Sequence, residues 1–247
     1  MGEQAPSDSR QQIAATIRQL PTLKQLAIRH RSDDIAEFYR PQYFEAYARQ
    51  IGDRLRSERF TVMEIGTRSG NSVRMWRTFY PNAHFVGLDK RPKDTFVNDT
   101  NVSIYTGLQQ NETILEEICR RHPDIRLVVD DGSHQPVHII RTFNALFPCL
   151  LPDSYYVIED AYEWFFKRSE RCSGLHNATF FHRLLEAVNN PHSRFRCPSK
   201  RVNPRLEGQI FSVTFYDSII FVYKKNNMRP YRRKFQPRPD NEEDIDY

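Results

Sequence analysis

Two short stretches of the chain run apolar and end abruptly in acid: Val128-Val129-Asp130-Asp131-Gly132-Ser133-His134 and Tyr155-Tyr156-Val157-Ile158-Glu159-Asp160. Apolar runs of this length read as parallel strands buried on both faces. Open α/β sheets bind ligands beyond the carboxyl ends of such strands, which is where these acids fall. Carboxylates crowded together are costly unless a cation neutralises them. Oxygen ligands without a thiolate favour Mg²⁺, with Mn²⁺ or Ca²⁺ as alternatives, over Zn²⁺. Asp131, Glu159 and Asp160 are therefore the candidate metal ligands, and Asp130 is assigned to the border of a cofactor site. The competing reading, in which an aspartate caps the next helix and Glu159 is merely solvated, is weaker because two neighbouring strands end in acid. His134 is the candidate general base, since an imidazole titrates near neutrality and can take a proton from a hydroxyl acidified by a cation. His138, one turn further on, is read as packing.

Alternating strands and helices position these residues. Strands are expected at Phe60–Ile65, His84–Leu88, Val102–Tyr105, Ile125–Asp130 and Tyr155–Glu159. Helices are expected at Ser72–Tyr80, Thr113–Arg121, Val137–Leu150 and Thr179–Asn189, each with apolar residues at helical spacing. From Pro41 another helix carries Phe44, Tyr47, Ile51 and Leu55 on one face. Gln209–Phe215 and Ser218–Tyr223 are joined so closely that only an antiparallel pair can form. The expected fold class is α/β, a doubly wound, mostly parallel seven-stranded sheet closed by an antiparallel hairpin. That order resembles the class I S-adenosylmethionine-dependent methyltransferases, a Rossmann-like architecture. Residues 1–30 are expected to be an N-terminal helical or flexible extension, 31–225 the domain, and 226–247 a basic then acidic disordered tail.

Met63-Glu64-Ile65-Gly66-Thr67-Arg68-Ser69-Gly70 follows the first strand and opens a helix. Glycines there let a ligand approach the backbone, and the helix N-terminus presents free N–H groups. Glu64, Gly66, Ser69 and Gly70 are the candidate cofactor contacts of this loop. Asp89 ends the second strand about 20 residues on, where an acid reaches a ribose diol. The dinucleotide fingerprint lacks its third glycine, and with the terminal hairpin this favours a methyl donor over a hydride carrier.

The chain has 247 residues, a net charge of +5 and 39% hydrophobic residues. Its basic excess is diffuse, which counts against a nucleic-acid footprint. Cys119, Cys149, Cys172 and Cys197 form no C-x-x-C pair and are expected to be reduced, pointing to a cytoplasmic location. No stretch is apolar enough for a signal peptide or membrane span.

Over residues 32–225 the chain resembles the Mg²⁺-dependent macrolide-sugar O-methyltransferases of the mycinamicin and macrocin type, relatives of cephalosporin-hydroxylase-like proteins. The resemblance rests on Glu64-Ile65-Gly66, Met75-Trp76-Arg77, Val86-Gly87-Leu88-Asp89, Asp130-Asp131-Gly132-Ser133-His134, Phe147-Pro148, Val157-Ile158-Glu159-Asp160 and Ser212-Val213-Thr214-Phe215-Tyr216. It implies Asp131, Glu159 and Asp160 as metal ligands, His134 as base, Gly66 and Asp89 on S-adenosylmethionine, and a sugar hydroxyl as acceptor. The chain departs from the family at two positions: Arg68 occupies the usual place of a middle glycine, and Leu108 that of an aspartate, leaving Gln109 to compensate on the adenine side. The basic segment Phe195–Leu206 implies that the acceptor, a small molecule or glycan, need not be a macrolide. A homo-oligomer is compatible with all of this. The alternatives are a nucleic-acid methyltransferase and a non-catalytic binding module of the same fold.

Overall fold

The computed structural model describes residues 20–32, 40–94, 96–161 and 208–225, with Phe180, Phe181, Leu184, Leu185, Val188 and Leu206. Residues 1–19, most of the basic segment 195–206, the tail from Asn226, and Cys172 and Cys197 lie outside the described residues, as does much of the expected Thr179–Asn189 helix.

Strands β1 (Thr61–Ile65), β2 (His84–Asp89), β3 (Val102–Thr106), β4 (Ile125–Asp130), β5 (Ser154–Ile158), β6 (Ile210–Tyr216) and β7 (Ile219–Lys224) form one sheet in the order β3-β2-β1-β4-β5-β7-β6. The first five are parallel and β6–β7 is the antiparallel hairpin, as expected from the sequence. The register aligns the carboxyl ends, with Ile65 beside Leu88 and Asp130, and Asp130 beside Ile158.

Every residue of β1 and β5 is buried, and successive side chains feed opposite layers. Val62, Val129 and Val157 face the helices α1 (Leu23–His30), α2 (Pro41–Gln50) and α3 (Asn71–Phe79). Met63, Val128 and Tyr156 face α4 (Glu112–Arg121) and α5 (Pro136–Leu146). The helix expected to run to Leu150 instead tightens into a 3₁₀ turn at Phe147–Cys149. Pro148 explains the change, since proline has no N–H to continue an α-helical ladder.

One expectation is corrected. Cys119 of α4 and Cys149 of the 3₁₀ turn are joined by a disulfide, with Cα atoms 5.9 Å apart. Both pack on the same apolar layer, a proximity that their separation of 30 residues does not reveal. The inference from reduced cysteines to a reducing compartment therefore falls. No helix among the described residues is long and apolar enough to cross a membrane.

At the end of β7 the Lys224 ammonium, buried in the interior, donates to the carbonyls of Phe147 and Pro148 at 3.0 and 2.9 Å. Burial lowers its pKa from 10.5 to about 8. Between those values the unfolded chain binds the extra proton, so this group makes stability rise with pH. Urea unfolding of wild type and Lys224→Met should show a difference that shifts in favour of the wild type from pH 7.5 to 9.5 (roughly the span of that titration). A pH-independent difference would refute the buried cation. Thiol titration of the denatured chain should also find two more thiols after reduction than before, the pair Cys119–Cys149.

Candidate metal and cofactor site

The loops beyond β1, β2, β4 and β5 meet at a cleft of about 460 Å³ lined by Glu64, Gly66, Thr67, Asp89, Asp131 and Asp160, among others. A second cavity of about 190 Å³, lined by Leu108, Gln109 and His138, shares Gly66, Asp89 and Gly132 with it. Gly66 is what lets the two loops meet. Its φ is +92°, and a Cβ there would stand 2.1 Å from the Asp131 carbonyl oxygen. Its N–H donates to Leu88 O at 2.9 Å, while the Asp131 N–H donates to Ile65 O at 3.0 Å. The loop after β1 and the acidic loop after β4 are thus one backbone unit, and no other residue fits at Gly66 without displacing it.

Asp131, His134 and Asp160 each offer a ligand atom within 4.8 Å of the others. The imidazole bridges the carboxylates, with Nδ1 4.0 Å from Asp131 Oδ1 and Nε2 3.9 Å from Asp160 Oδ2. Two hard carboxylate oxygens facing one another here fit a small divalent ion, with the imidazole between them available as a base. Glu159 and Asp160 are both buried. Glu159 lies outside that trio: its Oε1 accepts the Tyr47 hydroxyl at 2.5 Å. Asp160 Oδ1 accepts the Tyr43 hydroxyl at 2.8 Å and pairs with Arg40.

Asp130 points the other way. Fully buried, it accepts the Tyr156 hydroxyl at 2.7 Å and the Gln109 amide at 3.1 Å. Burial raises its pKa to about 6 against the opposing pull of those hydrogen bonds and one from the Gly132 backbone. Gln109 also receives the Ser133 N–H on Oε1 at 2.6 Å and the Thr142 hydroxyl on its carbonyl at 3.0 Å. Although Gln109 lines the smaller cavity, its amide is spent on holding the acidic loop. His138 completes the set, its Nδ1 3.0 Å from Ser133 Oγ.

On the donor side, buried Glu64 accepts the Ser72 hydroxyl at 2.9 Å. Asp89 stands at the junction of the two cavities, Oδ2 accepting the Arg68 N–H at 2.8 Å and Oδ1 the Arg91 N–H at 2.7 Å. Those bonds orient the carboxylate and leave lone pairs for a diol. Ser69 and Gly70 do not line either cavity. Gly70 caps α3 with φ of 78°, and Phe96 fills the space a Cβ would need. The Thr67 hydroxyl lies buried in the cleft wall with no hydrogen-bond partner among the described residues, an orphan that a polar cofactor would satisfy.

Of the seven non-glycine residues with positive φ among the described residues, three line this cleft: Arg68 (41°), His134 (54°) and Asp160 (53°). Each costs about 1–3 kcal/mol, and such strain concentrates at functional sites. Arg68 thus adopts the backbone that its usual glycine would supply. Sequence reasoning missed Arg40, Tyr43, Tyr47 and Thr67. The available signal was a pair of tyrosines four residues apart on an apolar face, because a buried phenol requires a partner.

Known proteins share the fold of this chain. No protein-family model matches the chain. Mycinamicin VI 2''-O-methyltransferase of Micromonospora griseorubida is 29% identical over 194 residues, covering 73% of this chain and 47% of that protein. An 8-demethyl-8-α-L-rhamnosyl tetracenomycin-C 2'-O-methyltransferase of Streptomyces olivaceus is 28% identical over 236 residues, covering 90% and 60%. The solved structure of the MycE methyltransferase of mycinamycin biosynthesis, in complex with Mg and SAH, superposes with a TM-score of 0.73 at 26% identity, covering 90% of this chain and 59% of that one. The chain is similar to macrolide and sugar O-methyltransferases. It has the class I methyltransferase fold, and spans about half the length of the curated relatives it matches.

If Gln109 is a structural clamp, Gln109→Leu strands the Ser133 N–H and removes a donor from buried Asp130. Unfolding free energy should fall by about 2–4 kcal/mol, with little change in affinity for S-adenosylhomocysteine measured on the folded protein. Weakened cofactor binding at unchanged stability would contradict this assignment.

Proposed function

We propose that this chain transfers a methyl group from S-adenosylmethionine to a hydroxyl of a sugar or glycosylated metabolite, assisted by Mg²⁺ or Mn²⁺. The observation that carries the reading is the convergence of Asp131, His134 and Asp160 within 4.8 Å in the cleft that the donor loop also lines. The relatives support it, since MycE has been solved with Mg, SAH and mycinamycin VI.

Asp131 and Asp160, with Glu159 beside them, would hold the cation, and Gly66, Thr67 and Asp89 would flank the donor. A bound cation lowers the pKa of a hydroxyl it ligates, while the bound sulfonium supplies the methyl group. With the carboxylates filling oxygen positions, His134 is left to accept the hydroxyl proton. With the donor held by Gly66, Thr67 and Asp89, the deprotonated acceptor oxygen would take the methyl group, and the C–S electron pair would stay with the S-adenosylhomocysteine product. The buried, hydrogen-bonded walls contribute by fixing the reacting groups and excluding water. Acceptors bearing two adjacent hydroxyls would suit the site, since both oxygens could share the cation.

Transfer from S-adenosylmethionine to a panel of glycosylated acceptors, followed by mass spectrometry, tests this directly. Asp131→Asn should abolish transfer while leaving donor binding nearly intact, and EDTA should silence the wild type. His134→Ala should lower kcat about 10²- to 10⁴-fold, the usual contribution of a general base. Full activity in EDTA would remove the metal from the scheme, and an unchanged kcat in His134→Ala would remove the base.

A further inference from the structure

Helix α2 brings two phenols to the two consecutive acids at the end of β5. Tyr43 and Tyr47 are four residues apart and therefore share a face. The Tyr43 hydroxyl donates to Asp160 Oδ1 at 2.8 Å and receives the Asp160 backbone N–H at 3.1 Å. It also lies 3.1 Å from the Ser218 carbonyl in the β6–β7 turn. This contact grips the side chain and the backbone of the same residue, one whose φ is 53°. The Tyr47 hydroxyl donates to Glu159 Oε1 at 2.5 Å. Its ring is fixed by edge contacts to Trp76 and Phe221, with centroids 5.2 and 5.3 Å away.

The geometry points to Tyr43 and Tyr47 as positioning residues that orient Asp160 and Glu159 for the divalent cation and thereby set its affinity. The inference rests on the cation assigned to the site under the proposed function. Each phenol occupies one oxygen of its carboxylate and fixes where the other can point. A carboxylate free to rotate would lose that orientation on each encounter with the ion. Groups that orient ligands in this way are commonly worth about 10- to 100-fold in metal affinity. The helix that supplies them packs on the opposite layer of the sheet from α5, so the carboxylates are gripped from a side independent of the loop that carries Asp131 and His134.

The experiment is Mn²⁺ binding, read by electron paramagnetic resonance and calorimetry, to the wild type, Tyr43→Phe, Tyr47→Phe and, as a control, Tyr223→Phe. Tyr223 makes a similar phenol–carboxylate bond to Asp153, 2.6 Å long, away from the cleft. Tyr47→Phe keeps the ring packed against Trp76 and Phe221 and removes only the hydroxyl, so it tests the role even if Tyr43→Phe fails to fold. The expected result is a dissociation constant raised about 10- to 100-fold in Tyr47→Phe, unchanged in Tyr223→Phe, with S-adenosylhomocysteine affinity in EDTA retained. Wild-type Mn²⁺ affinity in a folded Tyr47→Phe overturns the positioning role while leaving the cation in place. A wild type that binds S-adenosylhomocysteine but no Mn²⁺ overturns the cation and the positioning role together.

Discussion

Four carboxylates on neighbouring strand ends cannot share a space without neutralisation, and the rest of the site is organised around that repulsion. The register places Asp130 beside Ile158, so Asp131 follows one strand where Glu159 and Asp160 follow the next. The fold separates them by giving each a different partner. Asp130 turns inward to Tyr156 and Gln109. Glu159 turns to Tyr47, and Asp160 to Tyr43 and Arg40. Asp131 shares the cleft with His134. Buried carboxylates are tolerable only when hydrogen-bonded or paired, and this partition satisfies them while leaving two facing the same imidazole.

The partition ties the two faces of the sheet together at one point. Tyr156 belongs with the layer under α4 and α5, to which Gln109 is tied through Thr142, whereas Tyr43 and Tyr47 come from α2 on the other side. The contact between Gly66 and Asp131 joins the donor loop to the same point from within the sheet. A carboxylate cluster built this way draws its rigidity from both layers, so its geometry depends on packing more than on any single loop.

Much of this is legible in the sequence because strand ends in a parallel sheet are a coarse, robust signal. Apolar runs ending in Asp130 and Glu159 place the acids, and the short connection at Tyr216-Asp217 identifies the hairpin. What periodicity cannot show is side-chain direction. Asp130 and Asp131 are adjacent and look alike in sequence, yet successive residues at a strand end diverge, one to the interior and one to the cleft. Gln109 reads as available to a cofactor, but its amide is committed to Asp130 and Ser133. Tyr47 reads as core because its ring is core, and Tyr43 is not singled out by the pattern; only their hydroxyls reach the site. The Cys119–Cys149 link is invisible for a related reason, since it depends on how a helix and a 3₁₀ turn settle on the same layer.

The departure at Arg68 shows how the fold accommodates an unfavourable residue. Glycine adopts a left-handed backbone at little cost, whereas arginine does so only if neighbouring contacts hold it. Here the Arg68 N–H is bound to Asp89 and its carbonyl receives the Lys93 N–H at 3.0 Å. The same Asp89 carboxylate is thereby oriented at the junction of the two cavities. The strain at Arg68 and the placement of the acid expected to meet a ribose are therefore one interaction. A substitution that relaxed the backbone at Arg68 without keeping its N–H in place would leave Asp89 held by the Arg91 N–H alone. Arginine in place of glycine at this loop keeps the acid in place, because the hydrogen bond that stabilises the strained turn is one of the two that orient Asp89.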